Sequence, residues 1–402
     1  MPATTATETL YASITQPPNR VHSTNRPPSL ATLKTICSET ASTKQYPHCE
    51  GIESNVPIYN LLKFDPTDST TASALQEEWY NILHSGPGVF VLRNMYSDKA
   101  LLEKVNGVFQ KIIDHERSSS AKKGDHFAGN GKNDRIWNSF SKHGLQDPMS
   151  FFEYYSNSWL ALVSDAWLGP GYCITAQVNI VRPGGEAQTV HRDYHLGFQT
   201  AEECARYPKA MHNASQFLTL QGAVAHSDMP NGTGSTRLLP FSQRFEEGFM
   251  AYRLPEFNEF FLSKYVSLPL SMGDGIFFNP ALFHAAGNNQ STDFVRKANL
   301  LQISSAFGKT METVDGLPLL ERCWDALKQK YDVEGFSAEV TAFVSAVAAG
   351  YPFPTNLDVR TAAPGGLAPE SEQQTVLKAL QENWDKQEII GAINQIREDS
   401  RA

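Results

Sequence analysis

The chain has 402 residues, 41% of them hydrophobic and 19% charged, with a formal net charge of −9. That composition excludes a disordered chain, which has too little apolar content to fold, and argues against a nucleic-acid surface, which needs clustered Lys and Arg to neutralise phosphates. No run of about 18 or more apolar residues is available to cross a bilayer, and the Thr-, Ser- and Pro-rich start lacks the apolar centre of a secretory signal. Cys37, Cys49, Cys173, Cys204 and Cys323 are odd in number and form no C-x-x-C pair, so a cytoplasmic protein acting on a small molecule is expected.

Residues 1–50, broken by Pro17, Pro18, Pro27 and Pro28, are expected to form a flexible N-terminal arm or a wrap along the surface. A single domain over 51–402 follows. Ser69 to His84 predicts a helix with Leu75, Trp79, Ile82 and Leu83 on one face, stopped by Gly86-Pro87-Gly88. A short apolar strand at 89–92 and a helix through Leu101, Val105, Val108 and Ile112 come next. Residues 122–135, rich in Gly and charge, predict a loop, and 124–137 a lid over a reactive site. One further helix is expected from about 148 to 168. From about 172 to 307 short β-like runs alternate with Gly, Pro and Asn, which indicates a sandwich or barrel. Helical patterns return at 316–330 and 338–349, and after a Pro-rich linker a last amphipathic helix covers about 373–396, a possible homodimer contact. The expected class is therefore mainly β with helical additions: a core at 172–307, flanked by helices at 69–168 and 316–396.

The segment that carries chemistry is His191-Arg192-Asp193, which directly follows an apolar strand and the turn Arg182-Pro183-Gly184-Gly185. On extended backbone residues i and i+2 point to one side, so an imidazole and a carboxylate can meet on one ion. His-x-Asp alone is a weak signal. It gains specificity from Gly273-Asp274-Gly275, an apolar strand and His284 among small residues, with Arg296 twelve positions further on. Two histidines and one carboxylate make the facial triad of non-haem iron enzymes, leaving positions open for other ligands. A guanidinium at 296 can grip a carboxylate with two parallel hydrogen bonds. His195 and His226 compete with His284 for the third ligand position.

This order of motifs, together with Asn231-Gly232 ahead of a strand that ends in Pro240-Phe241-Ser242, resembles the phytanoyl-CoA hydroxylase superfamily of Fe(II)/2-oxoglutarate oxygenases. The segments at 191–208 and 86–94 are similar to its YbiU-like branch, and fungal proteins of similar size resemble amino-acid oxidases of secondary metabolism, including the valine cyclase that forms an aziridine. The resemblance implies a double-stranded β-helix, or cupin-like jelly roll. It also implies Fe(II) on His191, Asp193 and His284, with 2-oxoglutarate and O2 as co-substrates and succinate and CO2 as products. Arg296 is then expected on the C5 carboxylate of 2-oxoglutarate, with Gln188, Asn179 and Arg237 as further co-substrate contacts. His195, Gln177, Arg182 and His226 are candidates to touch substrate. The separation of 91 residues between Asp193 and His284 requires an insertion, expected at 195–214 and 246–264. The competing readings are a cupin-type metal dioxygenase or isomerase without 2-oxoglutarate, and a jelly-roll binding protein with a vestigial site.

Overall fold

The β-like texture resolves into two sheets in a computed structural model that describes residues 19–119 and 133–402. The strands are β1 (Gly51–Glu53), β2 (Val56–Asn60), β3 (Val89–Arg93), β4 (Asn133–Ile136), β5 (Cys173–Val181), β6 (Thr219–Ala225), β7 (Thr236–Leu239), β8 (Gly275–Phe278), β9 (Phe283–Ala286) and β10 (Arg296–Ser304). Eight of them form one sheet in the order β1-β2-β3-β8-β6-β10-β5-β4, while β7 and β9 form a second. Among the described residues, only the β2–β3 pairing is parallel. Single bridges extend the small sheet on both sides, Val266 joining Leu238 and His191 joining His284.

Alternation along the long strands separates two environments. Ile174, Ala176, Val178 and Ile180 of β5, with Leu301 and Ile303 of β10, enter the main apolar core. Gln177, Asn179, Arg296 and Gln302 project from the opposite face into a cavity that Thr236, His284 and Ala286 of the small sheet close from the other side. The apolar face of the large sheet needs cover, and helices at 69–84, 99–119, 139–168, 317–347 and 372–399 supply it through buried Trp79, Tyr154, Tyr155 and Trp324. Helix Ser69–His84 begins where Asp68 accepts from Thr70 N, buries the predicted face, and ends before Gly88 at φ 80°.

Several expectations need correction. With fourteen α-helices against ten strands among the described residues, the class is mixed α/β rather than mainly β. The stretch expected at 148–168 is two helices, Pro148–Tyr155 and Ser158–Leu168, the second capped by Asn157. The final helix breaks likewise into Glu372–Gln381 and Lys386–Asp399 around Asn383 at φ 59°. Its Ile389 and Ile393 are buried within the chain. The arm before residue 51 wraps the surface where it is described: helix Leu30–Ile36 buries Leu33, and Tyr46 and Cys49 join the main core. The loop expected at 122–135 ends in β4, paired to β5; residues 120–132, and with them most of the proposed lid, lie outside the described residues, as do residues 1–18. The insertion forms short helices at 201–204, 209–217, 248–251 and 255–264. Among the described residues no helix is long and apolar enough to cross a membrane.

Candidate metal centre

The residue pair at 191 and 193 is held against the strand that carries His284. His191 N donates to His284 O at 3.0 Å, His284 N donates back to His191 O at 3.1 Å, and Asp193 N donates to Pro280 O at 2.9 Å. Extended backbone turns His191 and Asp193 to the cavity and Arg192 away from it. Arg192, 2% exposed, donates to Ser242 O at 2.6 Å and Phe245 O at 2.9 Å, with the Phe249 and Phe283 rings each 5.1 Å from its guanidinium carbon. The turn that leads to His284 is built the same way. Asp274 accepts from Ser271 N and Asn94 N at 2.8 and 2.9 Å, and Gly273 takes φ 93°, where a Cβ would meet Tyr96 O at 2.2 Å.

Three donor atoms converge. His191 Nε2 and His284 Nε2 lie 3.9 and 3.6 Å from Asp193 Oδ2, and one ligand atom from each residue falls within 4.8 Å of the others. The tautomers suit a metal, because Nδ1 of His191 and of His284 each face a carbonyl, Thr189 O and Leu282 O, at 2.8 Å. Protons on Nδ1 leave both Nε2 lone pairs facing the centre. Burial, and then the neighbouring His284, lower the pKa of His191, keeping it neutral. Burial alone would raise Asp193, but His191, His284 and a hydrogen bond from Gln221 outweigh it and hold the carboxyl at about 2. Two imidazoles and an ionised carboxylate on one side of an ion are the donor set of the 2-His-1-carboxylate face, which suits Fe(II) and keeps positions open toward the cavity.

The cavity, about 580 Å³, also takes in Gln177, Asn179, Gln188 and Arg296. Arg296 Nη1 donates to Asn179 Oδ1 at 2.8 Å and Nη2 to Gly234 O at 2.7 Å. Burial, with Arg135 nearby, lowers its pKa to about 10. Gln188 Oε1 accepts from Ala286 N at 3.3 Å. Four candidates lie elsewhere. Thr236 faces the cavity, so Arg237, next along β7, points away, to Asn288 Oδ1 at 2.6 Å and the Tyr265 ring. Arg182 lies past the end of β5, paired with Asp134 at 2.7 Å. His226 follows β6 on its helix-covered side, between Tyr154 Oη at 2.9 Å and Asn106 Oδ1 at 3.0 Å. His195, a candidate to ligate the metal or touch substrate, follows Asp193 by two residues but takes φ 48° and is not among the cavity-lining residues.

Sequence reading missed Arg135, Gln221 and Gln302. Arg135 stands opposite Asn179 across β4 and β5, donates to Gln177 Oε1 at 2.7 Å, and lies 5.2 Å from the Trp137 ring. Gln221 Nε2 donates to Asp193 Oδ2 at 2.7 Å. The alternation of β6 and β10 was the available signal, placing Gln221 and Gln302 on the strand faces opposite the apolar ones.

A facial triad of a buried His284 and half-buried His191 and Asp193, opening into a cavity between two sheets, defines a non-haem iron enzyme. Residues 86–298, over half the chain, match the phytanoyl-CoA dioxygenase (PhyH) family, and the chain belongs to that family: it is an Fe(II)/2-oxoglutarate-dependent dioxygenase. No curated protein matches the chain. Similar solved structures include the non-heme alpha ketoglutarate dependent epimerase SnoN from nogalamycin biosynthesis, at 16% identity and TM-score 0.41 over 58% of this chain and 84% of that one. SnoN in complex with Fe3+, alpha ketoglutarate and nogalamycin RO matches at 15% identity and TM-score 0.41, over 58% and 85%. The alpha ketoglutarate dependent carbocyclase SnoK from the same biosynthesis matches at 15% and 0.40, over 58% and 86%.

Proposed function

We propose that this dioxygenase abstracts hydrogen from an unactivated C–H bond of a small polar metabolite, a free aliphatic amino acid such as valine foremost. Hydroxylation or oxidative cyclisation, aziridine formation included, is the outcome. The observation that carries the reading is Arg296, a cation 3% exposed on the wall of the triad's own cavity, with amide and carbonyl oxygens but no carboxylate as partner among the described residues. A buried charge without a counter-ion is costly, and the distal carboxylate of 2-oxoglutarate supplies one. Asn179 accepts from Arg296 at 2.8 Å, and Gln188 lines the same cavity.

When bound, Fe(II) and 2-oxoglutarate supply the oxidising chemistry, with succinate and CO2 as co-products. The chain's own part is geometry: His191, Asp193 and His284 take one side of the metal, Arg296 fixes the co-substrate, and Phe278 and Leu300 on the cavity wall limit water. Arg135, which donates to Gln177 Oε1 at 2.7 Å, offers a guanidinium on the cavity wall to a substrate carboxylate. A volume of about 580 Å³ lies within the range of about 300–1,000 Å³ usual for small-molecule sites, room enough for 2-oxoglutarate and an amino acid together. The two facing sheets support reading the core as a double-stranded β-helix.

Succinate formation from 2-oxoglutarate with Fe(II) and O2, measured against a panel of free amino acids, tests the proposal. Stimulation by aliphatic members, valine among them, with an oxidised product of matching mass, is expected. Equal succinate with every amino acid, and none of them altered, removes the amino-acid reading.

A further inference from the structure

Two buried glutamines beside the metal centre each leave an amide oxygen without a donor among the described residues. Gln221 of β6 and Gln302 of β10 are directly opposed across their strands, each is 6% exposed, and both line the cavity. Neither Gln221 Oε1 nor Gln302 Oε1 accepts a hydrogen bond of good geometry among the described residues, and the Tyr194 side chain, which lines the same cavity, lies against the Gln221 amide. The orientation of Gln221 is fixed, since its Nε2 donates to Asp193 Oδ2 at 2.7 Å and reversing the amide would set oxygen against oxygen. Its Oε1 is therefore an acceptor held one side chain from the metal-binding carboxylate. A buried acceptor left unsatisfied costs about 1–3 kcal/mol. The two stand on directly opposed residues, whose Cβ atoms are about 5 Å apart. Such groups in a folded interior call for something that completes them.

We propose that Gln221 and Gln302 form a donor-binding subsite that receives the primary amine or ammonium nitrogen of the substrate. A hydroxyl carries one hydrogen and can satisfy one of the two oxygens, whereas a primary amine carries two and an ammonium three. A nitrogen held there lies one side chain from Asp193, so the C–H bonds of the carbons near it are the ones presented to the metal. Arg135 and Gln177 line the same cavity, which gives a zwitterion a separate partner for each end. The inference rests on the 2-oxoglutarate reading above and assigns the group that the protein selects.

The test is an anaerobic titration of the enzyme loaded with Fe(II) and 2-oxoglutarate, following the visible charge-transfer absorption of that complex. The probes are L-valine and the other aliphatic L-amino acids, each beside its 2-hydroxy-acid and deaminated counterparts. We expect at least one amino acid to perturb the band, its counterparts to bind about tenfold or more weakly, and Gln302→Met to weaken the amino acid by a similar factor. The affinity of that variant for 2-oxoglutarate should be unchanged. Because the substitution removes an unsatisfied polar group, an unfolding temperature no lower than the parent's is expected, and Gln302→Leu serves as a second variant. A band that no amino acid perturbs, equal affinity for the hydroxy acid, or undiminished amino-acid binding in both variants overturns the subsite; a water molecule completing the pair would give that result. Failure of the band to form with 2-oxoglutarate alone, seen before any probe is added, overturns instead the co-substrate reading beneath it.

Discussion

Replacing Arg296 by alanine isolates the co-substrate from the metal. The guanidinium is 3% exposed, so the ion pair that it would make with a bound carboxylate is a buried one. Removing one partner of such a pair costs about 3–5 kcal/mol, which corresponds to about 150- to 5,000-fold in dissociation constant. Arg135 is close enough to depress the pKa of Arg296, and it can recover part of that loss, so the lower end, about a hundredfold, is the expectation for Arg296→Ala. Arg296→Lys keeps the charge but loses the two-pronged geometry, and should fall between the variant and the parent. Calorimetric titration of 2-oxoglutarate into the Mn(II)-loaded enzyme reads the effect, and titration of the metal alone supplies the control. Binding of 2-oxoglutarate within about threefold of the parent, or an equal loss of metal and co-substrate affinity, would refute the assignment.

Gln221→Ala should weaken metal binding by about 10- to 100-fold, since it removes the hydrogen bond that orients Asp193; anaerobic Fe(II) titration checks it, while Asp193→Ala should abolish binding. Acid should destabilise the fold through His143 and His226, which burial holds at about 3. Both are neutral in the folded chain yet protonate near 6.5 when unfolded, so the unfolded state binds more protons and stability falls as pH drops from 6.5 toward 3. At pH 5 each contributes about 2 kcal/mol of that loss, and His226→Gln should flatten the pH profile of the unfolding temperature. Gly248→Ala would place a methyl carbon 1.8 Å from the Arg192 guanidinium carbon. A loss of about 1–3 kcal/mol is expected from such overpacking, measurable by urea unfolding; an unchanged midpoint would show that Arg192 has another resting place.

The triad was legible because its geometry is local on one side and spelled out on the other. Spacing of two on extended backbone orients His191 and Asp193, and the turn before His284 announces the facing strand. Helix Ser69–His84 was legible from a single apolar face. What escaped depends on pairing. β4 reads Asn-Asp-Arg-Ile, an edge strand without apolar alternation, and only its register with β5 brings Arg135 opposite Asn179. β1 and β2 are three and five residues long, too short for periodicity to mark. Arg237 and His195 were misplaced for opposite reasons: one obeys strand alternation and faces away, while the other leaves the strand at φ 48°.

The reciprocal backbone bonds between His191 and His284 make the spacing of the two imidazoles a property of neighbouring strands, independent of the chain that runs between them. Evolution or an engineer can therefore lengthen, shorten or exchange the helical excursion at 195–217 and 246–264 without retuning the iron. New specificities can be grafted there onto an oxidising core whose dimensions stay constant.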